Sequence, residues 1–212
     1  MTWFHDALVD LPSADADASS AVAQRAASVL RPAGALRRFD ETAVHVAAWQ
    51  GTARPRVERP AIVVFAGDHG VAGAGVSAYP GDVTAAMLAA VRAGRATINA
   101  IAAAVGAHLR VVDVGVGAPT GDIRFEPAMS AERFDELGAV AADVIDDVVA
   151  RGADLLVVGE LGIGNTTVAA ALAAALLGGD PAAWVGRGTG VDDDGLARKV
   201  GAVRAATERV GS

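Results

Sequence analysis

The stretch Val157-Val-Gly-Glu-Leu-Gly-Ile-Gly-Asn-Thr-Thr167 decides how the rest of the chain is read. The apolar run Leu155 to Val158 has the length and β-branched content of a buried strand, and it leads into Gly159, Gly162 and Gly164. An Ala/Leu-rich helix, Val168 to Leu177, follows at once. At such a strand-to-helix turn, glycines let the backbone approach a ligand, while Thr166 and Thr167 are placed to cap the helix and offer hydroxyls beside its unpaired N–H groups. The turn suits a phosphate. It equally suits a tight βα connection with a threonine cap and no ligand, and the glycine pattern alone leaves both readings open.

Upstream, the same strand-turn-helix pattern occurs twice more. Ala61 to Ala66 is a continuous apolar strand ended by Gly67-Asp68-His69-Gly70. After a glycine-rich loop through Pro80, Asp82 is placed to cap a long helix running to about Val105, bent at Gly94. Leu109 to Val114 reads as a second strand, ended by Gly115-Val116-Gly117, and Ser130 caps a helix to about Ala150 before the third strand, Asp154 to Val158. Continuous rather than alternating apolar strands, separated by helices, indicate a parallel sheet buried on both faces. Ligands of such sheets bind beyond the carboxyl ends of the strands, which brings Asp68-His69-Gly70, Asp113 to Gly117 and Glu160 to Thr167 together.

Residues 1–57 read as helical, with Ala18 to Leu30 rich in good formers, Arg31-Pro32-Ala33-Gly34 as a stop, and Phe39, Ala43, Val46 and Ala47 at helical spacing. The expected architecture is therefore α/β, a Rossmann-like parallel sheet with βαβ crossovers (58–212), plus an N-terminal helical arm or small lobe (1–57). The last helix, about Asp192 to Val210, has no strand after it, so the pattern reads as stopping within a fold.

Bulk properties narrow the function classes. The 212 residues carry a net charge of −7, with no clustered Lys or Arg, which argues against nucleic acid as a partner. With no cysteine there is no disulfide framework, thiol nucleophile or thiolate metal site, and a reducing, cytoplasmic setting fits. Asp6 and Asp10 without a basic cluster do not make a signal peptide. The most membrane-like window, Leu155 to Gly179, is interrupted by Glu160 and Asn165, and its unbroken apolar part falls well short of the ~20 residues a spanning helix needs. A soluble protein is expected. Aromatic residues are only 4%, so Ala, Val and Leu must build the core.

The glycine turn lacks the third glycine and the strand-end acid of a dinucleotide site, and also the Gly-Lys-Ser/Thr ending of a triphosphate loop, so a mononucleotide phosphate matches better. Gly186-Arg187-Gly188-Thr189-Gly190 is a second glycine loop before a helix, suited to phosphate or ribose or simply a surface connection. Asp192-Asp193-Asp194 reads as helix-dipole complementation rather than a metal site. His69 is as suited to a structural hydrogen bond as to general-base or ligand duty. Glu160, at a strand end, is expected to be partly desolvated and to accept from a ligand N–H.

Asp68-His69-Gly70-Val71, Gly75-Val76-Ser77-Ala78-Tyr79-Pro80, Val83-Thr84-Ala85, Val111-Val112-Asp113-Val114-Gly115, Gly159 to Thr167 and Gly186 to Gly190, in that order, closely resemble the nicotinate-nucleotide:dimethylbenzimidazole phosphoribosyltransferase family of cobalamin biosynthesis. The resemblance runs along the whole chain. It implies transfer of the phosphoribosyl group of nicotinate mononucleotide to 5,6-dimethylbenzimidazole, giving α-ribazole 5′-phosphate and nicotinate, by a homodimer without metal or cofactor. By match to the family's motifs, Tyr79 and Met87 fall where side chains line the benzimidazole slot, and Glu160, Gly162, Gly164, Asn165, Thr166 and Thr167 belong to the nucleotide loop. Lys199 matches a lysine near the substrate phosphate or nicotinate carboxylate.

Two departures from the family pattern stand out. The family's amino-terminal Lys-Pro-Pro-Gly-Ser-Leu-Gly reads here as Arg31-Pro32-Ala33-Gly34-Ala35-Leu36-Arg37. Family members also continue beyond the position of Ser212, and the glutamate regarded as general base lies in that further part, so no residue here takes that role by motif. The resemblance thus implies either an enzyme completed by further polypeptide or a protein that binds the nucleotide or an azole base without joining them.

Overall fold

The structure, a computed structural model, describes residues 8, 9, 11–32 and 34–211. Most of the stretch read for a signal peptide, Ala33 of the expected helix stop, and Ser212 lie outside the described residues.

Leu8 and Val9 are helical, and two complete helices follow, α1 (Ala16–Ser28) and α2 (Arg37–Gln50). Asp15 caps α1 by accepting the Ala18 N–H at 2.9 Å, and α2 stops at Gly51, whose φ of 60° is the left-handed conformation glycine adopts without strain. The pair buries its own small cluster of Ala18, Val22 and Ala47. Gln50 then ties α2 to the body by donating to the Asp154 carbonyl at 3.1 Å.

The body holds a parallel sheet of β1 (Pro60–Gly67), β2 (His108–Gly115) and β3 (Leu155–Leu161), ordered β2-β1-β3. The chain steps from β1 out to β2, then returns across β1 to β3. Ala66 pairs with Asp113 and Phe65 with Glu160, so the carboxyl ends of all three strands finish level. β1 is the central strand and has the expected double burial: Val63 and Val64, on opposite faces, are both buried. β3 departs from that expectation. Among the described residues it pairs with β1 alone, and Val157 and Val158, which point to opposite faces, are 46% and 61% exposed. The apolar run correctly marked a strand, but a local run carries no information on whether neighbours cover it.

The expected long helix from Asp82 is two helices, α3 (Val83–Arg92) and α4 (Thr97–Ala104). Gly94, at φ 72°, breaks rather than bends it, and Asn99 rebuilds both sides of the break by accepting the Ala96 N–H and donating to the Val91 carbonyl, each at 3.0 Å. Asp82 is itself helical and makes no cap hydrogen bond, contrary to its expected role. Ser130 does cap the crossover helix α5 (Ala131–Ala150), accepting the Arg133 N–H at 3.2 Å. Val144 and Val148 of α5 pack on Ala61 and Val63 of β1.

After β3 come α6 (Asn165–Leu177), the short α7 (Pro181–Trp184), unforeseen in the sequence, and α8 (Asp193–Gly211). Instead of crossing to the sheet, α8 lies along α6, and the largest buried cluster forms there from Ala170, Ala171, Ala174, Ala202, Val203 and Val71. Alanine on the facing sides lets the helix backbones approach, which is how a chain so poor in aromatics builds a core. No described helix is long and apolar enough to cross a membrane.

Candidate functional site

Three loops beyond the strand ends are joined by hydrogen bonds. Asp68, directly after β1, accepts the Gly117 N–H at 2.8 Å through Oδ2, and its carbonyl accepts the Thr120 N–H at 3.0 Å. Its Oδ1 is buried without a hydrogen-bond partner. His69 Nε2 meets Glu160 Oε1 at 3.0 Å, and Glu160 Oε2 accepts from Asn165 Nδ2. The convergence expected of Asp68-His69-Gly70 and the Glu160 loop is therefore present. Asp113 serves its own turn instead: the Val116 and Gly115 N–H groups, at 2.9 and 3.1 Å, hold its carboxyl below the ordinary aspartate range. A cavity of about 320 Å³ opens at this end of the sheet, with Phe65, Val114, Met129 and Leu137 as apolar wall and Asp68, His69 and Glu160 among its polar lining.

Glu160 is less buried than its place in the sequence suggested. Its side chain is 42% exposed on a strand that, among the described residues, pairs with β1 alone, and its two carboxylate oxygens are held by His69 and Asn165.

The turn into α6 is tight, but the threonines do not cap it. Gly164 holds the N-cap position at φ 94°, and Asn165 Oδ1 takes the Thr166 N–H at 2.7 Å. The Thr166 hydroxyl, relieved of capping, accepts from Lys199 Nζ at 2.8 Å. Thr167 is fully buried behind the loop, with its hydroxyl lacking a partner, and Gly162 lies against Glu160 and His69.

Lys199 projects from α8 toward the first turn of α6 and is 2% exposed. An ammonium has three N–H donors, and among the described residues only Thr166 receives one. Burial pushes its pKa below the ordinary lysine value. The loop 186–190 passes close by: a Cβ on Gly188 would lie 2.8 Å from Nζ and 3.1 Å from Thr166 Oγ1, so a side chain there would crowd the ammonium, and the φ of 51° favours glycine on conformational grounds. A cation desolvated at the N-terminus of a thirteen-residue helix, under a glycine loop, is an arrangement that an anion completes.

The second glycine loop is also latched to the tyrosine loop. Thr189 Oγ1 receives the Ala78 N–H at 3.0 Å and hydrogen-bonds with Ser77 Oγ at 3.0 Å, a contact that no pattern in the sequence announced. Tyr79, two residues beyond Ser77, is 56% exposed, and Met87 on α3 is 39% exposed. The start of α3 touches the turn before α6 through Thr84 Oγ1, which accepts the Ile163 N–H at 3.1 Å. Asp192 Oδ1 accepts the Gly195 N–H at 2.8 Å and Asp193 pairs with Arg187, so these acids serve the start of α8.

The sequence and the fold have counterparts in known proteins. The chain is 50% identical over 203 residues to the Nicotinate-nucleotide--dimethylbenzimidazole phosphoribosyltransferase of Novosphingobium aromaticivorans, covering 96% of this chain and 59% of the relative. It is 51% identical over 197 residues to the protein of that name from Roseobacter denitrificans, covering 92% and 56%. Among solved structures, CobT from Thermus thermophilus superposes with a TM-score of 0.83 at 40% identity, covering 91% of this chain and 62% of that one. The chain thus spans about three-fifths of the length of the relatives it matches. A phosphoribosyltransferase family model, DBI_PRT, matches residues 11–212. An α/β sheet whose level strand ends carry the Asp68 and Glu160 loops, matched by that model over nearly all its length, places this chain in the DBI_PRT phosphoribosyltransferase family.

Proposed function

We propose that this site binds nicotinate mononucleotide and belongs to an enzyme that transfers its phosphoribosyl group to 5,6-dimethylbenzimidazole, giving α-ribazole 5′-phosphate and nicotinate in cobalamin lower-ligand assembly. The observation that carries the reading is Lys199: a buried ammonium with one described partner, at the N-terminus of α6 and beneath Gly188. In this reading Lys199, Thr166 and the 162–165 turn hold the phosphate, and Glu160 accepts a hydrogen bond from the nucleotide or base. Tyr79 and Met87 flank the flat acceptor, and Thr167 supports the loop from behind. The C1′–N bond of the donor breaks with its electron pair passing to the pyridinium nitrogen, so nicotinate leaves as a neutral ring. An azole nitrogen takes its place at C1′ as its N–H proton passes to a base.

The reading extends to a cytoplasmic homodimer, with residues 1–57 as a helical arm beside the 58–212 nucleotide-binding domain. A second reading is nucleotide or azole binding without turnover by this chain, which spans about three-fifths of the length of the relatives it matches. Calorimetry of the 212-residue protein with nicotinate mononucleotide and with inorganic phosphate, beside chromatographic detection of α-ribazole phosphate, tests both. Binding that phosphate competes away, with little or no turnover, is expected. Absence of nucleotide binding overturns the site, and robust turnover by this chain alone overturns the need for a base from elsewhere.

A further inference from the structure

We propose that His69 is a positioning residue for Glu160, holding its carboxylate in one orientation so that the outward lone pairs meet an N–H or O–H group of the ligand. Both carboxylate oxygens are tethered. Oε1 lies 3.0 Å from His69 Nε2, and Oε2 accepts from Asn165 Nδ2. The Asn165 amide has no freedom to turn over, because its Oδ1 already takes the Thr166 N–H at 2.7 Å. A carboxylate only accepts, so the imidazole presents Nε2–H to it.

Exposure separates the two roles. The His69 side chain is 17% exposed and that of Glu160 is 42%, so the histidine stands behind and the glutamate faces out. The backbone also closes over the pair: a Cβ on Gly162 would lie 2.6 Å from Glu160 Oε1 and 2.7 Å from His69 Nε2. An untethered surface glutamate must lose rotamer freedom when a ligand binds, whereas this one has already lost it. The kind of ligand rests on the nucleotide reading above; the clamp itself does not.

The test uses the full 212-residue chain with imidazole ¹⁵N labelling. Nε2–H of His69, assigned by its loss in His69→Gln, is expected as a protected resonance that vanishes or moves upfield in Glu160→Gln. Its absence, or its indifference to Glu160→Gln, overturns the clamp. With nicotinate mononucleotide as probe, His69→Ala is expected to weaken binding about tenfold, the loss of one hydrogen bond to a charged group. His69→Gln, which keeps an N–H within reach, is expected to recover most of it. Should His69→Ala not fold, His69→Asn, too short to reach Oε1, takes its place. Wild-type affinity in the short variants overturns the positioning role. If the wild-type chain binds no nucleotide, the functional reading falls and the resonance alone decides the clamp.

Discussion

Replacing Lys199 by methionine sets the two consequences of a buried lone ammonium against each other. Methionine keeps the length and most of the volume of the side chain, so Val203 and Ala202 beside it on α8 lose little packing. In the ligand-free protein the charge is desolvated and has one described hydrogen-bond partner, Thr166, which is exposed enough for water to replace the lost donor. Removing such a charge is expected to leave thermal stability unchanged or raise it by about 1 kcal/mol. For ligand binding the sign reverses. A hydrogen bond from an ammonium to phosphate contributes about 1.5–3 kcal/mol, so affinity for nicotinate mononucleotide should fall by about 10- to 150-fold. pH adds a further signature. The folded-state pKa of Lys199 lies below its unfolded value, so between the two values the unfolded chain binds more protons and stability rises with pH. That alkaline rise should be present in the wild type as pH climbs toward about 10.4 and absent in Lys199→Met. Calorimetric titration and differential scanning calorimetry at several pH values read all three quantities. A Lys199→Met protein that folds and binds the nucleotide as tightly as wild type refutes the assignment of Lys199 to the anion.

The neighbouring geometry gives three more expected outcomes. Gly188→Ala puts a methyl 2.8 Å from Lys199 Nζ at a φ of 51°, and should lower both stability, by about 1 kcal/mol or more, and nucleotide affinity, read by thermal melts and titration. Gly162→Ala puts a methyl 2.4 Å from the Gly67 carbonyl as well as against Glu160 and His69, so it should lower stability and, where the protein remains folded as judged by circular dichroism, weaken or abolish the protected imidazole resonance. Asp154 accepts the Glu58 N–H at 2.6 Å and the Arg59 N–H at 2.9 Å, which lower its pKa, so its contribution is complete above the ordinary aspartate value of about 3.9 and is lost as pH falls through the folded value. Asp154→Asn should therefore flatten the acid limb of the stability curve below about pH 4.

The position of the site at the strand ends was legible because the relevant signals are local. Apolar runs such as Ala61 to Ala66 mark strands, and glycines after them mark turns where backbone must pass close to something. Helix ends were less legible. Asp82 and Thr166 have side chains suited to capping, yet neither caps. Asp82 already lies in a helical turn, and Gly164 brings the chain into α6 with Asn165 occupying the adjacent N–H.

By itself the sequence determined the alternation of strand and helix, the parallel sheet and the three loops that share its carboxyl edge, since periodicity and turn chemistry act within a few residues. It also carried the family, through motifs long enough to identify it. Only the tertiary structure decided which groups meet. Thr166 is spent on Lys199, 33 positions away, and His69 on Glu160, 91 positions away. It likewise decided that, among the described residues, β3 pairs with β1 alone and that the Glu160 side chain is 42% exposed. Such pairings follow from strand order and helix packing, which sum contributions from the whole chain and leave no mark on the residues that they join.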